Sequence, residues 1–195
     1  MKNIIKQIVP IAFVAVLAAG CASAPSKFYT LNATAKSDGT SAADYSVVVG
    51  PVSVPAEVNR PQFTVQVAPN RVAVDEFNRW AGPLNENIAQ VVAEDLAVLL
   101  GTPQVSTLPL ANFEPAYRVS IEVQRFESVP GKSATVEAVW VVKKAVDKVS
   151  LSGHTLAIEP VSSDGFDTLA AAHSLALTKV STDIAAAIRT EADAK

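Results

Sequence analysis

Tyr117-Arg118-Val119-Ser120-Ile121-Glu122-Val123-Gln124 alternates apolar and polar side chains without a break. A period of two is the pattern of a strand with one buried and one solvated face. Val129-Pro130-Gly131-Lys132 then supplies turn chemistry, and Val136, Ala138, Trp140 and Val142 take the inward positions of a second strand that ends at Lys143 and Lys144. Residues 145–148 turn the chain again, and residues 149–158 return as the third arm of a meander. A three-stranded antiparallel meander with one apolar face needs something to cover that face.

The cover lies on either side of it. Downstream, residues 167–189 read as an alanine-rich helix with Leu169, Ala172, Ala176, Leu177, Val180, Ile184, Ala187 and Ile188 along one face. Asp167 suits its start and Arg189 the negative end of its macrodipole. Upstream, residues 78–100 carry Trp80, Leu84, Ile88, Val91, Val92, Leu96, Leu99 and Leu100 at steps of three and four, the spacing of a buried helical stripe. Pro83 fits the first turn of that helix, so helical residues before it would belong to a separate short turn, and Gly101 suits a left-handed stop. Before it, Phe63-Thr64-Val65-Gln66-Val67, the turn Ala68-Pro69-Asn70, and Val72 with Val74 predict a hairpin over residues 62–75. Residues 46–54 are β-branched and apolar on both faces, which predicts an interior strand with an edge or bulge at Pro51. Phe28-Tyr29-Thr30-Leu31 has strand composition, and residues 32–44 read as a surface loop. Strands, a helix, a meander and a second helix predict an α+β two-layer sandwich, its mostly antiparallel or mixed sheet carrying two long helices on one face.

The N-terminus has a different grammar. Lys2 and Lys6 precede an apolar run from Ile8 to Ala19, which is too short for a confident membrane span and right for a secretory signal. Leu17-Ala18-Ala19-Gly20-Cys21 resembles a bacterial lipobox, in which the cysteine is lipidated and becomes the mature N-terminus. Cys21 is also the single cysteine of the 195-residue chain, so a lipidated Cys21 leaves no thiol for a disulfide. The chain thus divides into a signal over 1–20, a lipidated tether over 21–26 and one domain over 27–195. Ala22 bears on the address: in enteric-type bacteria an aspartate there retains a lipoprotein in the inner membrane, and alanine implies the outer membrane. The whole chain carries a formal charge of −3. A mildly acidic domain without a basic cluster argues against nucleic acid as a partner. Membrane contact then comes from the diacylglycerol and N-acyl chains on Cys21, with no other cofactor expected.

Catalytic chemistry is sparse. His154 and His173 are the only histidines, and neither has a cysteine or acidic partner at metal-ligand spacing. His173 and Ser174 are neighbours on a helix, so their side chains diverge and cannot form a nucleophile–base pair. Glu94-Asp95 reads as a solvated helix face. No nucleophile elbow, P-loop or dinucleotide-binding turn occurs, and the chain reads as a non-enzyme. Two polar stretches stand out as binding candidates: Asn59-Arg60-Pro61-Gln62 at the mouth of the hairpin, and Arg79-Trp80 before the helix. The competing reading gives Trp80 to the core and lets Arg60 or Arg79 cap a carbonyl or pair with Asp75 or Glu76.

Together these stretches resemble a known family. Phe28-Tyr29-Thr30-Leu31, Val49-Gly50-Pro51-Val52-Ser53-Val54-Pro55, Asn59-Arg60-Pro61-Gln62, Arg79-Trp80-Ala81-Gly82-Pro83-Leu84, Glu94-Asp95-Leu96 and Ala172-His173-Ser174-Leu175-Ala176-Leu177, in this order after a lipobox, are similar to the PqiC/YmbA lipoproteins, the ABC-type transport auxiliary components. Asn59 stands where that family commonly has Asp, and Ala56-Glu57-Val58 replaces its aromatic-Leu approach. The resemblance implies an outer-membrane lipoprotein facing the periplasm that serves a lipid or hydrophobic-molecule transport system. Its partner would be an MCE-domain protein crossing the periplasm, docked through residues 59–62 and 78–80, with a homo-oligomer as a further implication. A lipid-binding carrier and a purely structural envelope lipoprotein are the alternatives.

Overall fold

The computed structural model describes residues 24–37, 39, 42–108, 114–146 and 149–193. Among the described residues, eight strands and two helices follow one another as β1 (Lys27–Tyr29), β2 (Val47–Ser53), β3 (Gln62–Ala68), β4 (Arg71–Trp80), α1 (Leu84–Leu100), β5 (Val105–Ser106), β6 (Tyr117–Val129), β7 (Ser133–Lys144), β8 (Ser150–Pro160) and α2 (Phe166–Asp193). The fold is α+β. It differs from expectation in having two sheets where the sequence suggested one. The meander β6-β7-β8 extends through β2 and β5 in the order β5-β2-β6-β7-β8, while β1, β4 and β3 form a separate three-stranded sheet.

β2 is the interior strand its composition predicts. Val47, Val48 and Val49 are all buried, and the strand runs parallel to both β5 and β6. Pro51 sits where the β2–β6 register shifts, so the proline occupies a bulge and withholds no ladder donor from its neighbours. On β7, Ala134, Val136, Ala138, Trp140 and Val142 are buried beneath the helices. Across from Trp140 lies Gly153 on β8. The indole lies over that glycine and donates from Nε1 to Thr155 Oγ1 (3.1 Å), which in turn donates to Asp183 Oδ2 on α2 (2.6 Å). A Cβ on residue 153 would come within 2.1 Å of Trp140 Cζ2. Gly153→Ala is therefore expected to cost about 1–3 kcal/mol through overpacking, read as a lower urea midpoint with an unchanged slope.

The helices obey their periodicity but not their predicted ends. α1 starts at Leu84, directly after Pro83, and the residues before the proline form no helical turn: residues 78–80 belong to β4 and pair with β1 and β3. The Trp80-to-Leu84 spacing that looked helical is the end of a strand followed by the start of a helix. Pro83 is the N-cap residue rather than a member of the first turn, and Gly101 closes the helix at φ 65°. In α2, Gly165 accepts from the Leu169 N–H (3.2 Å), and Asp167 lies inside the first turn, where its charge meets the positive end of the dipole. Arg189 serves the other helix: its guanidinium donates to the Leu99 carbonyl at the negative end of α1.

Asp95 also departs from expectation. Its neighbour Glu94 is exposed, but Asp95 is fully buried in α1. Its Oδ1 accepts from the N–H groups of Thr34 (3.0 Å) and Ala35 (2.9 Å), and its Oδ2 from Thr178 Oγ1 (3.0 Å). The segment after β1 is thus a strap across both helices, further fixed by Leu31 N–H to Asn87 Oδ1 (2.8 Å) and Asn32 N–H to Ser174 Oγ (3.2 Å).

An aromatic cluster joins the two sheets. Phe63 of β3 stacks on Trp80 of β4 at 4.3 Å between centroids, and Trp80 meets Phe126 of β6 edge-on at 6.0 Å. Tyr29 and Phe166 close the cluster against Phe63 at 5.9 and 5.1 Å.

Candidate functional site

A chain of backbone bonds brings the two candidate stretches together. The turn after β2 is tied by the N–H groups of Val58 and Asn59 to the Pro55 carbonyl, each at 3.1 Å. Trp80 N–H then donates to the Pro61 carbonyl (2.7 Å), and Ala81 N–H to the Tyr29 carbonyl (2.8 Å). The end of β4 is held between the 59–61 turn and β1. Around this junction lies an open cleft of about 430 Å³ lined by Phe28, Asn59, Arg60, Pro61, Arg79, Trp80, Ala81, Gly82, Pro83 and Leu84.

β4 reaches the cleft through an irregularity. Phe63 pairs with Asp75 but Gln62 pairs with Arg79, so the β4 strand gains residues between the two contacts. Asp75 organises them: its Oδ1 accepts from Phe77 N–H (2.9 Å), Asn78 N–H (2.8 Å) and Asn78 Nδ2 (3.0 Å). Burial pushes the Asp75 carboxyl up, but these hydrogen bonds from Asn78 and Phe77 outweigh it and hold the group below its ordinary value. Asn78 Oδ1 accepts in turn from the Tyr29 hydroxyl (2.7 Å), which locks β1 to the same junction.

The six candidates are not equivalent. Trp80 is 5% exposed and forms the cleft floor from within the aromatic cluster. Arg79 is half-buried; its Nε donates to the Glu76 carbonyl (2.8 Å) and its guanidinium lies 3.6 Å from the Glu76 carboxylate. Gln62 lies outside the lining and donates from Nε2 to Glu76 Oε2 (3.3 Å). Asn59, Arg60 and Pro61 are exposed on the rim. Sequence reasoning missed Phe28, which has strand composition and pairs with Arg79 yet is 64% exposed on the opposite rim. Cys21 and the 1–20 signal lie outside the described residues.

A second, larger cleft of about 680 Å³ shares Ala81, Gly82 and Pro83 with the first. Thr30, Gly50, Pro51, Asn87, Gln90, Thr107 and Leu108 are among its walls. The two clefts together draw on the 49–52, 59–61 and 79–84 stretches that carry the family resemblance.

His173 has a partner that sequence could not show. Its Nε2 lies 2.8 Å from Ser128 Oγ, 45 residues away, and its ring stacks on Phe126 at 3.8 Å. The pair resembles a nucleophile and base in composition only. Both residues are buried, His173 Nδ1 has no hydrogen-bond partner, and burial pushes the imidazole down to about 3. A base needs access to substrate and a pKa near the working pH, and this histidine has neither. Among the described residues, no group of three His, Cys, Asp or Glu side chains is placed to hold a metal ion. Nor is any helix among them long and apolar enough to cross a membrane.

Comparison with known proteins agrees with the fold. A DUF330 protein from Xanthomonas campestris is similar over 87% of this chain and 99% of its own, with 21% identity and a TM-score of 0.73. A solved structure of an uncharacterized protein is similar over 85% of this chain and 99% of its own, with 16% identity and a TM-score of 0.70. No curated protein matches the sequence. The sequence profile of the ABC-type transport auxiliary lipoprotein components matches residues 29–185, a span that includes all six candidates. That is an auxiliary transport family and not an enzyme family, and this chain belongs to it.

Proposed function

We propose that the protein is an outer-membrane lipoprotein facing the periplasm, anchored by the acyl chains on Cys21, which docks the outer end of an MCE-domain protein in a lipid or hydrophobic-molecule transport system. Its role is to position that partner without chemistry. The family supplies the association with transport, and the convergence of residues 59–61 with Arg79 and Trp80 on one cleft supports a docking site there. Arg60 is the telling residue. It is exposed on the rim, whereas Arg79 is engaged by Glu76 and Trp80 by the core. An exposed arginine beside an aromatic-floored depression is a typical binding anchor.

The carrier alternative draws less support from the interior. A carrier needs an enclosed apolar cavity, but the space between helices and large sheet is occupied by Ile88, Leu96, Val136, Leu177 and Ile184, all buried. A homo-oligomer matching a multimeric partner belongs to the docking reading and is tested by the mass of the acylated protein in detergent.

Crosslinking in intact cells followed by mass spectrometry tests the docking itself. An MCE-domain protein is expected in the captured fraction, and Arg60→Glu is expected to reduce its recovery at least about tenfold, a loss of about 1.4 kcal/mol. Unchanged capture by Arg60→Glu would remove the cleft from the interface. Absence of any MCE-domain protein, or fractionation with the inner membrane, would overturn the wider reading.

A further inference from the structure

We infer that the face carrying Phe28 lies against the membrane that holds the anchor, with the Phe28 ring seated where headgroups meet acyl chains. This rests on lipidation of Cys21, and it adds an orientation to the docking cleft. Phe28 lies seven positions after Cys21, which limits their distance to about 25 Å even when fully extended. A domain of this length has a radius of gyration of about 15 Å and is therefore some 40 Å across. The tether is too short to let β1 sit on the far side of the domain.

β1 is an edge strand, bonded to β4 on one side only, and Phe28 projects from it at 64% exposure. Larger exposures occur at Val146 and Leu108, but neither lies close in sequence to the anchor. Lys27 is exposed beside Phe28, and Arg60 stands across the cleft. Two acids lie near that rim in sequence: Glu76 is taken up by Arg79 and Gln62, and Glu57 is exposed three residues before Arg60. An aromatic ring flanked by free cations suits the interface of a bilayer containing anionic lipid. The cleft would then open at headgroup level, where the tip of a periplasm-crossing partner arrives.

The lone cysteine makes the test clean, because acylation blocks it and any introduced thiol is unique. Phe28→Cys and Leu156→Cys, the latter on the far edge strand of the large sheet, are each labelled with an NBD fluorophore. The acylated proteins are reconstituted into phosphatidylethanolamine–phosphatidylglycerol vesicles. NBD at position 28 is expected to show blue-shifted emission and quenching by brominated acyl chains, and NBD at position 156 to stay water-like. Water-like emission at position 28, or equal quenching at both positions, overturns the orientation while leaving the anchor intact. Mass spectrometry of the same samples reports the acyl chains on Cys21 separately, and their absence would sink the anchor and this inference together.

Discussion

Lowering the pH from 6.5 to 4.5 is expected to remove about 2 kcal/mol of folding stability through His173 alone. Burial pushes this imidazole down to about 3 in the folded protein, against an ordinary value of 6.5. Between those two values the unfolded chain binds a proton at this position and the folded chain does not. Stability therefore rises with pH across the window and falls as acid is added, reaching a loss of roughly 4 kcal/mol near pH 3. Asp75 acts in the same direction at lower pH, since its carboxyl is held below the usual range and its contribution vanishes as it protonates. The upper part of the His173 window, from about pH 6.5 down to about pH 5, lies above the range of ordinary carboxylates and can be read by itself. Urea midpoints measured at pH 7, 6, 5 and 4.5 should fall steadily in the native sequence. His173→Phe keeps a ring on Phe126 and should flatten that slope, at the cost of leaving Ser128 without its partner. A native protein equally stable at pH 6.5 and 4.5 would contradict the assignment.

Trp80→Ala is expected to cost about 3–5 kcal/mol. The indole stacks on Phe63, meets Phe126 edge-on and is 5% exposed, so its removal opens a cavity between the two sheets. Trp80→Phe should recover most of the loss by refilling the ring position. Arg60→Ala, on the exposed rim, should change stability by less than about 0.5 kcal/mol. Equilibrium urea unfolding separates the three. A Trp80→Ala protein within 1 kcal/mol of the native one would mean that the aromatic cluster does not hold the sheets together. The contrast also guides binding experiments: a capture defect in Trp80→Ala mixes instability with lost contact, whereas one in Arg60→Glu does not.

The parts of the fold that were legible in the sequence are those whose periodicity is local. The meander, the interior strand at residues 47–49, the glycine stop at Gly101 and the apolar face of α2 follow from spacings of two or three to four residues. The second sheet was not legible, because β1 joins β4 across about 50 residues and no periodicity records which strands pair. Trp80 misled for a physical reason: strand end and helix start happened to share a helical spacing. Asp95 looked solvated because a charged residue beside Glu94 on a helix usually is, and the donors that allow its burial come from residues 34 and 35, some 60 positions away. Ser128 and His173 are hidden in the same manner. At the cleft, the 59–61 and 79–80 stretches were visible through the family resemblance and their polar chemistry, but the exposure of Phe28 depends on β1 being an edge.

The strap formed by residues 31–35 has a mechanical meaning. A pull applied through the tether enters the domain at β1, whose neighbour β4 runs parallel to it and ends at the cleft. A load between anchor and docked partner therefore shears these two strands along their length and does not peel them apart. Behind β1 the same force meets the bonds to Asn87, Ser174 and Asp95, which spread it onto both helices. Bonds arranged this way share the load, so under the proposed anchoring and docking the chain would bear tension between the membrane and the partner in its cleft.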